Sequence, residues 1–280
     1  MGKHAPRIKT LSPREIKRFQ DTIYQHYQNC KRSLPWRKTR NPYHILVSEI
    51  MLQQTQVDRV LGKYEEFIDA FPDFNTLARA PLRKVLRVWQ GLGYNRRALA
   101  LKKSAQIIVT KYQGKLPHTV EELVQLPGIG ATTASEIVAF AFNQPAVFVE
   151  TNIRSVFIHF FFSHRNEVSD AEILPLVEKT LDTTQARQWY YALMDYGVAL
   201  KKKYRNPSRR SLHYRKQSPF DGSNRQIRGM ILKILTAQRE SSEETLVRAL
   251  KKPAVQVKRN LSALKKEGFI ASKGSVFTIV

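Results

Sequence analysis

Up to about residue 204 the apolar positions recur every three or four residues, the spacing of helices with one buried face, and strand-like alternation is nearly absent. Thr10-Leu11-Ser12-Pro13-Arg14-Glu15 reads as a capping box with proline at the first helical position, so a helix is predicted from there to about Asn29. A loop, SLPWRKTRNP, is bracketed by Pro35 and Pro42. Further helices are predicted near 43–56, 57–70, 74–79, 81–89, 95–112, 119–125, 131–142, 151–163, 169–180 and 184–204. Turns fall at Pro72, Pro81, Gly91, Gly93, Gly114 and Pro117. A compact all-α domain follows. Within it, HILVSEIMLQQTQ (residues 44–56) sets one carboxylate, Glu49, among Ile45, Leu46, Val47, Ile50, Met51 and Leu52. An ionised acid in such surroundings is costly unless it is paired or takes up a proton.

The pattern then changes. Residues 201–217, KKKYRNPSRRSLHYRKQ, carry eight Lys/Arg and no acid and read as a solvated basic loop. After a linker at 218–224, helices are predicted at 225–236, 243–250 and 254–267, and GFIASKGSVFTIV alternates around Lys273-Gly274 as a β-hairpin does. Helices followed by a two-stranded wing make the winged-helix plan over 225–280. Its third helix carries Lys258, Arg259, Lys265 and Lys266. Twelve basic against four acidic residues in this segment suit DNA contact, although winged helices also serve as protein–protein modules.

Charge sharpens the picture. The 280 residues hold 47 Lys+Arg and 23 Asp+Glu, a net +24, while 42% hydrophobic residues supply a core. That excess points to a polyanionic partner, with nucleic acid the usual one, against the blander reading of a soluble basic protein. Cys30 is the only cysteine, which excludes an internal disulfide and any thiolate-held zinc or iron–sulfur centre and suits a reducing compartment. MGKHAPRIKT has no apolar core, and no apolar run nears the roughly 20 residues of a membrane span. A soluble protein is expected, cytoplasmic and nucleoid-associated or otherwise intracellular. The seven histidines (4, 26, 44, 118, 159, 164, 213) show no metal-ligand spacing. His159 and the aromatics Phe160, Phe161, Phe162, Trp189, Tyr190 and Tyr191 are expected to pack the terminal helices, as is Trp36.

Two further stretches carry chemistry. LPGIGATTASEIVAF (126–140), preceded by EELVQ, spells a helix, a tight glycine turn and a second helix. Gly128 and Gly130 are expected to adopt φ > 0, and the second helix offers its positive N-terminus to a phosphate. Alone this is compatible with an ordinary αα corner; at net +24 it favours sequence-independent contact with a DNA backbone through Leu126, Gly128, Gly130, Thr132 and Thr133. In PAVFVETNIRSV (145–156), Glu150 stands at a helix start, where a carboxylate simply complements the dipole. Burial favours a neutral Glu49 and the helix end an ionised Glu150. An acid and an anion set apart in this way divide the labour of glycosidic bond cleavage.

PWRKTRNPYHILVSEIMLQQTQV, WQGLGYNRRAL, LPGIGATTA and ALMDYG resemble, in order and spacing, the motifs of the helix–hairpin–helix (HhH-GPD) DNA glycosylases, and most of all the A/G-specific adenine glycosylase (MutY) branch. The resemblance covers roughly residues 34–200. It implies a glycosylase domain over 1–217, built as a six-helix barrel at about 42–143 with flanking helices from 1–41 and 144–204. Glu49 then matches the general acid that protonates a flipped adenine, Asn152 an active-site hydrogen-bonding residue, Gln53 the residue filling the vacated space in the duplex, and Tyr94 the wedge beside it. Arg96 and Arg154 join Lys258 and Arg259 as cations expected on DNA. Gln53, one turn after Glu49, would lie on the same helix face. Gln54 reads as a solvated residue.

The chain departs from the family's pattern in three respects. Glu150 stands where the family has Asp, an extra methylene of about 1.5 Å in reach. Where many members hold a four-iron cluster with four cysteines, this chain has Lys201, Ser208, Ser211 and Gln217, so no cluster is expected. The 56 residues after 224 read as a winged helix, so the family's 8-oxoguanine-recognition domain is not expected among them. Thr132 replaces the Schiff-base lysine of bifunctional relatives, so a monofunctional enzyme is expected: an adenine glycosylase of base-excision repair, acting as a monomer on mismatched double-stranded DNA. A thymine or uracil mismatch glycosylase, and a catalytically silent DNA-binding protein of the same fold, are the alternatives.

Overall fold

The structure is a computed structural model and describes residues 11–280. Residues 1–10, which include His4 and the segment read above as lacking a signal peptide, lie outside the described residues. The helices are α1 (Pro13–Cys30), α2 (Pro42–Leu52), α3 (Val57–Ala70), α4 (Phe74–Arg79), α5 (Leu82–Trp89), α6 (Arg96–Lys111) and α7 (Val120–Leu123). Next come α8 (Ala131–Phe142), α9 (Thr151–Phe161), α10 (Asp170–Thr180) and α11 (Ala186–Lys203). The last part of the chain folds as α12 (Asn224–Gln238), β1 (Glu240–Ser242), α13 (Glu243–Leu250), α14 (Ala254–Lys266), β2 (Ile270–Lys273) and β3 (Val276–Ile279). No described helix is long and apolar enough to cross a membrane.

Two compact units share this chain. The first takes the chain up to Ile45 with His118–Glu121 and Gly130–Lys216; the second takes Leu46–Pro117, Glu122–Ile129 and Gln217–Val280. One boundary falls at 216/217, beside the sequence division at 217–225, and the winged-helix segment after it groups with residues 46–117 and 122–129.

In the first unit the capping box forms as expected: Ser12 Oγ accepts from Glu15 N at 3.3 Å and Glu15 accepts from Ser12 N at 2.8 Å. α1 then buries Phe19 and Ile23. Phe19 packs edge-on to Phe157 (5.5 Å), Phe160 (5.1 Å) and Trp189 (5.8 Å), an arrangement that suits the ring quadrupoles and joins α1, α9 and α11 as the aromatic pattern implied. The loop after α1 is tied down electrostatically. Buried Asp195 accepts from Arg37 Nη1 at 2.8 Å and Arg32 Nε at 2.5 Å. Burial works to raise the Asp195 carboxyl, and the two guanidinium groups hold it below its ordinary value.

In the second unit α14 and the three strands complete the predicted wing, with one addition: the sheet order is β1-β3-β2, so the wing has three strands. β1 spans only three residues, too few for alternation to betray it. The β2–β3 ladder runs from Ile270↔Ile279 to Lys273↔Val276, and Gly274 takes φ +58° in the turn between them. The segment is fastened to α5 and α6. Arg83 Nε donates to Thr236 O (2.9 Å), Gln90 Nε2 to Thr236 Oγ1 (2.8 Å), and Glu267 pairs with both Arg96 and Arg228.

Candidate active site

α2 is apolar on nearly every side: Ile45, Leu46, Val47, Ser48, Ile50 and Met51 are all buried, and Glu49 sits among them at 8% exposure. The helix ends at Leu52, four residues earlier than its pattern predicted, because Gln54 turns the chain with a left-handed φ of +55°. Gln53 therefore lies just beyond the helix and not on its last turn. Its Nε2 donates to Gly128 O at 3.2 Å, so the end of α2 meets the glycine turn of LPGIG.

The group that caps the end of α2 carries no signal of its own in the sequence. Arg97, 8% exposed, sends Nη1 to the carbonyls of Ile50 (3.0 Å), Met51 (2.7 Å) and Gln53 (2.6 Å). Its Nη2 reaches Thr55 Oγ1 (2.9 Å) and Gly93 O (3.2 Å). One guanidinium thus caps the negative end of α2 and fixes the 92–94 turn in the same stroke. Burial lowers Arg97 to about 10. The only signal for it was its place in WQGLGYNRRAL, and an arginine beside an arginine does not announce which one turns inward.

Tyr94, also left-handed at φ +46°, has guanidinium groups near its ring: Arg97 at 5.4 Å and Arg225 at 5.2 Å. Its hydroxyl accepts from Arg225 and Gln217. Arg96 is exposed and paired with Glu267 at 2.5 Å.

In LPGIGATTA, Leu126 and Thr133 are buried whereas Gly128, Gly130 and Thr132 are exposed. The expectation of φ > 0 at both glycines is corrected. Gly128 takes φ +79°, and a Cβ there would meet Ala100 Cβ at 2.7 Å; Gly130 is the N-cap of α8 at φ −92°, ψ 173°. An N-cap needs extended backbone, which any residue adopts.

Glu150 is the N-cap of α9. Its Oε1 accepts from Asn152 N (2.7 Å) and Ile153 N (2.8 Å), and its Oε2 from Asn152 Nδ2 (3.1 Å). Lys201 Nζ donates to Asn152 Oδ1 at 2.8 Å, extending the line to Lys201–Asn152–Glu150. Burial lowers Lys201 below the usual lysine range against the opposing pull of Glu150. Gly197, of ALMDYG, makes the close crossing possible: a Cβ there would stand 2.5 Å from Asn152 O. Arg154 donates to Asp170 through Nε (2.7 Å) and Nη2 (2.6 Å), so this guanidinium is engaged within the first unit. Lys258 and Arg259 are exposed on α14, the former 3.0 Å from Glu243.

The positions that would ligate a cluster do not fit one. Lys201 is bound to Asn152, Ser208 Oγ lies 2.6 Å from Ser155 Oγ and donates to Thr151 O at 2.9 Å, and Ser211 Oγ accepts from His213 N at 3.0 Å. An ammonium and two hydroxyls offer no thiolate. The loop is instead stitched to the first turns of α9 by hydrogen bonds.

Residues 47–179 match the HhH-GPD superfamily base excision DNA repair protein family. An adenine DNA glycosylase of Buchnera aphidicola (subsp. Baizongia pistaciae) is 36% identical over 184 residues, 65% of this chain and 52% of that protein. One from Mycolicibacterium smegmatis is 37% identical over 177 residues, 62% of this chain and 60% of that protein. The chain spans about half the length of these curated relatives. Among solved structures, a thermostable thymine-DNA glycosylase superposes with TM-score 0.59 and 27% identity, covering 65% of this chain and 86% of its own.

Proposed function

We propose that this chain, whose residues 47–179 match the HhH-GPD superfamily base excision DNA repair protein family, is a monofunctional glycosylase that hydrolyses the N-glycosidic bond of adenine mispaired with guanine or 8-oxoguanine. The observation that carries this reading is Glu49, a single carboxyl set within the apolar walls of α2 beside the end at which Gln53 emerges. Apolar burial favours the protonated acid, which protonates the purine leaving group as its bond to C1′ breaks. The sugar is left as an oxocarbenium-like cation, which the ionised Glu150 stabilises. Water then adds at C1′, giving an abasic site and free adenine and losing its proton to solvent.

A base stacked in a duplex is out of reach, so adenine is flipped out, Gln53 fills its place and Tyr94 wedges beside it. Leu126, Gly128, Gly130, Thr132 and Thr133 of the hairpin, with Arg96, Arg154, Lys258 and Arg259, provide the DNA-binding surface. Thr132 supplies no amine for a lyase step, and the reaction proceeds without an iron–sulfur cluster. The protein acts as an intracellular monomer. Likeness to a thymine-DNA glycosylase supports the second reading, removal of thymine or uracil opposite guanine.

The test is single-turnover base release from A:8-oxoG, A:G, T:G and U:G duplexes. Release of adenine is expected; alkali-labile sites arising only from T:G or U:G select the second reading, and none from any duplex selects a silent binding protein.

A further inference from the structure

Lys201 opens the stretch that lacks the family's cysteines, and the reaction described above gives it no part. It lies in the last turn of α11. Gly197, one turn earlier, brings that helix against the first turn of α9, where a Cβ at Gly197 would stand 2.5 Å from Asn152 O. The stretch after α11 fastens the same turn, since Ser208 Oγ donates to Thr151 O at 2.9 Å. Lys201 is half-buried there, and its Nζ donates to Asn152 Oδ1 at 2.8 Å. Two guanidinium groups share the neighbourhood, but other carboxylates hold them: Arg154 is on Asp170 and Arg32 on Asp195.

An asparagine amide accepts at one end and donates at the other, whereas a lysine ammonium only donates. With Lys201 on Oδ1, the amide is obliged to aim Nδ2 at Glu150, whose Oε2 accepts from it at 3.1 Å. The reverse orientation would set Oδ1 against a carboxylate and Nδ2 against an ammonium, two repulsive contacts in place of two hydrogen bonds. Backbone donors by themselves do not fix the Glu150 carboxylate. Asn152 N and Ile153 N both donate to Oε1, so they hold one oxygen and let the other swing about it. Asn152 Nδ2 holds that second oxygen and sets the plane of the group.

We propose that Lys201 is a positioning residue for the glycosylase reaction: by fixing the orientation of the Asn152 amide, it fixes the plane in which the Glu150 carboxylate meets the cation at C1′. Lys201 acts through Asn152 and touches neither base nor sugar in this role. The adenine reading supplies only the reaction that the carboxylate serves; the amide orientation stands on the Lys201–Asn152–Glu150 line itself.

Two measurements on the full chain test this. The first is heteronuclear NMR of the asparagine side-chain amides in isotopically labelled protein, with the Asn152 signals assigned by their loss in Asn152→Ala. Lys201→Met keeps an apolar stem and removes the donor. It is expected to shift the Asn152 signals, and unchanged signals overturn the proposal. The second is single-turnover adenine release from an A:8-oxoG duplex. Lys201→Met is expected to slow release about tenfold or more, with affinity for a duplex carrying an abasic analogue within about threefold of wild type. In an Asn152→Ala background the same substitution is expected to change the rate by less than about twofold, because its path to Glu150 is already cut. An unchanged rate in Lys201→Met overturns the proposal. So does the full loss recurring in the absence of the Asn152 side chain, which places the action of Lys201 elsewhere. Should Lys201→Met fail to fold, Lys201→Gln, which meets Asn152 with either end of its amide, is read in the same way. Adenine release absent from the wild type sinks the adenine reading, and the NMR measurement then decides the orientation of Asn152 by itself.

Discussion

Glu49 and Glu150 are both carboxylates assigned to one reaction, and their settings are opposite in kind. Glu49 is buried within a helix whose neighbouring positions are almost entirely apolar. Glu150 is half-buried and caps a helix, with both oxygens accepting hydrogen bonds from the turn that it starts. The first setting keeps water from the carboxyl, and the second surrounds it with N–H donors, the contrast that the proposed division between acid and cation-stabiliser asks for. Their supports differ too. Glu49 depends on a helix whose end is held by Arg97, while Glu150 is braced through Asn152 by Lys201.

Removing the proton donor makes the sharpest break in this comparison. Glu49→Gln is expected to lower single-turnover base release by about 10²- to 10⁴-fold while DNA affinity stays within about threefold; turnover at the wild-type rate would refute the acid assignment. Arg97→Met comes next. It strips the cap from α2 and leaves several buried carbonyls without their donor, a loss of about 2–4 kcal/mol in the unfolding free energy, read by urea denaturation. A loss below about 0.5 kcal/mol would show that Arg97 does not hold the end of α2.

On the other carboxylate the effects are smaller. Glu150→Ala removes an N-cap and is expected to cost about 1 kcal/mol, whereas Glu150→Asp, which keeps the charge and the capping geometry, should retain or raise base release. A fall in rate with aspartate equal to that with alanine would sharpen the contrast by tying the chemistry to the longer side chain. The mildest test concerns the anchor of the winged-helix segment. Hydrogen bonds and charge from Arg96 and Arg228 hold Glu267 at about 2, against an ordinary value of 4.5. Because the folded-state value is depressed, its contribution is complete above about pH 4.5 and is lost as pH falls toward 2. Wild-type stability should therefore drop across that window more than that of Glu267→Gln; parallel curves would remove Glu267 from the account.

Much of this was legible in the chain. Period-3.6 patterning located the helices closely, since each buries one apolar face, and the Ser12–Glu15 capping box marked the start of α1. Local spelling failed where backbone conformation or a distant partner decided. Gln54 has no glycine-like signature, yet its left-handed turn ends α2 at Leu52. β1 was too short to alternate, and Gly130 needed no positive φ because it caps a helix. Asp195 and Gly197 stood in plain sight within ALMDYG, but their work is to hold Arg32 and Arg37 and to let Asn152 pass close, and neither partner adjoins them in sequence.

The sequence by itself determined the helical class, the apolar setting of Glu49, the helix-start position of Glu150 and the lack of any cysteine between Lys201 and Gln217. These follow from composition and from contacts within a turn or two of chain. Only the tertiary structure decided that Arg97 turns inward while Arg96 pairs with Glu267, that Lys201 meets Asn152, and that Arg225 closes on Tyr94. Each joins residues between 47 and 171 positions apart, and pairings at such separations are set by how elements pack, to which periodicity is blind.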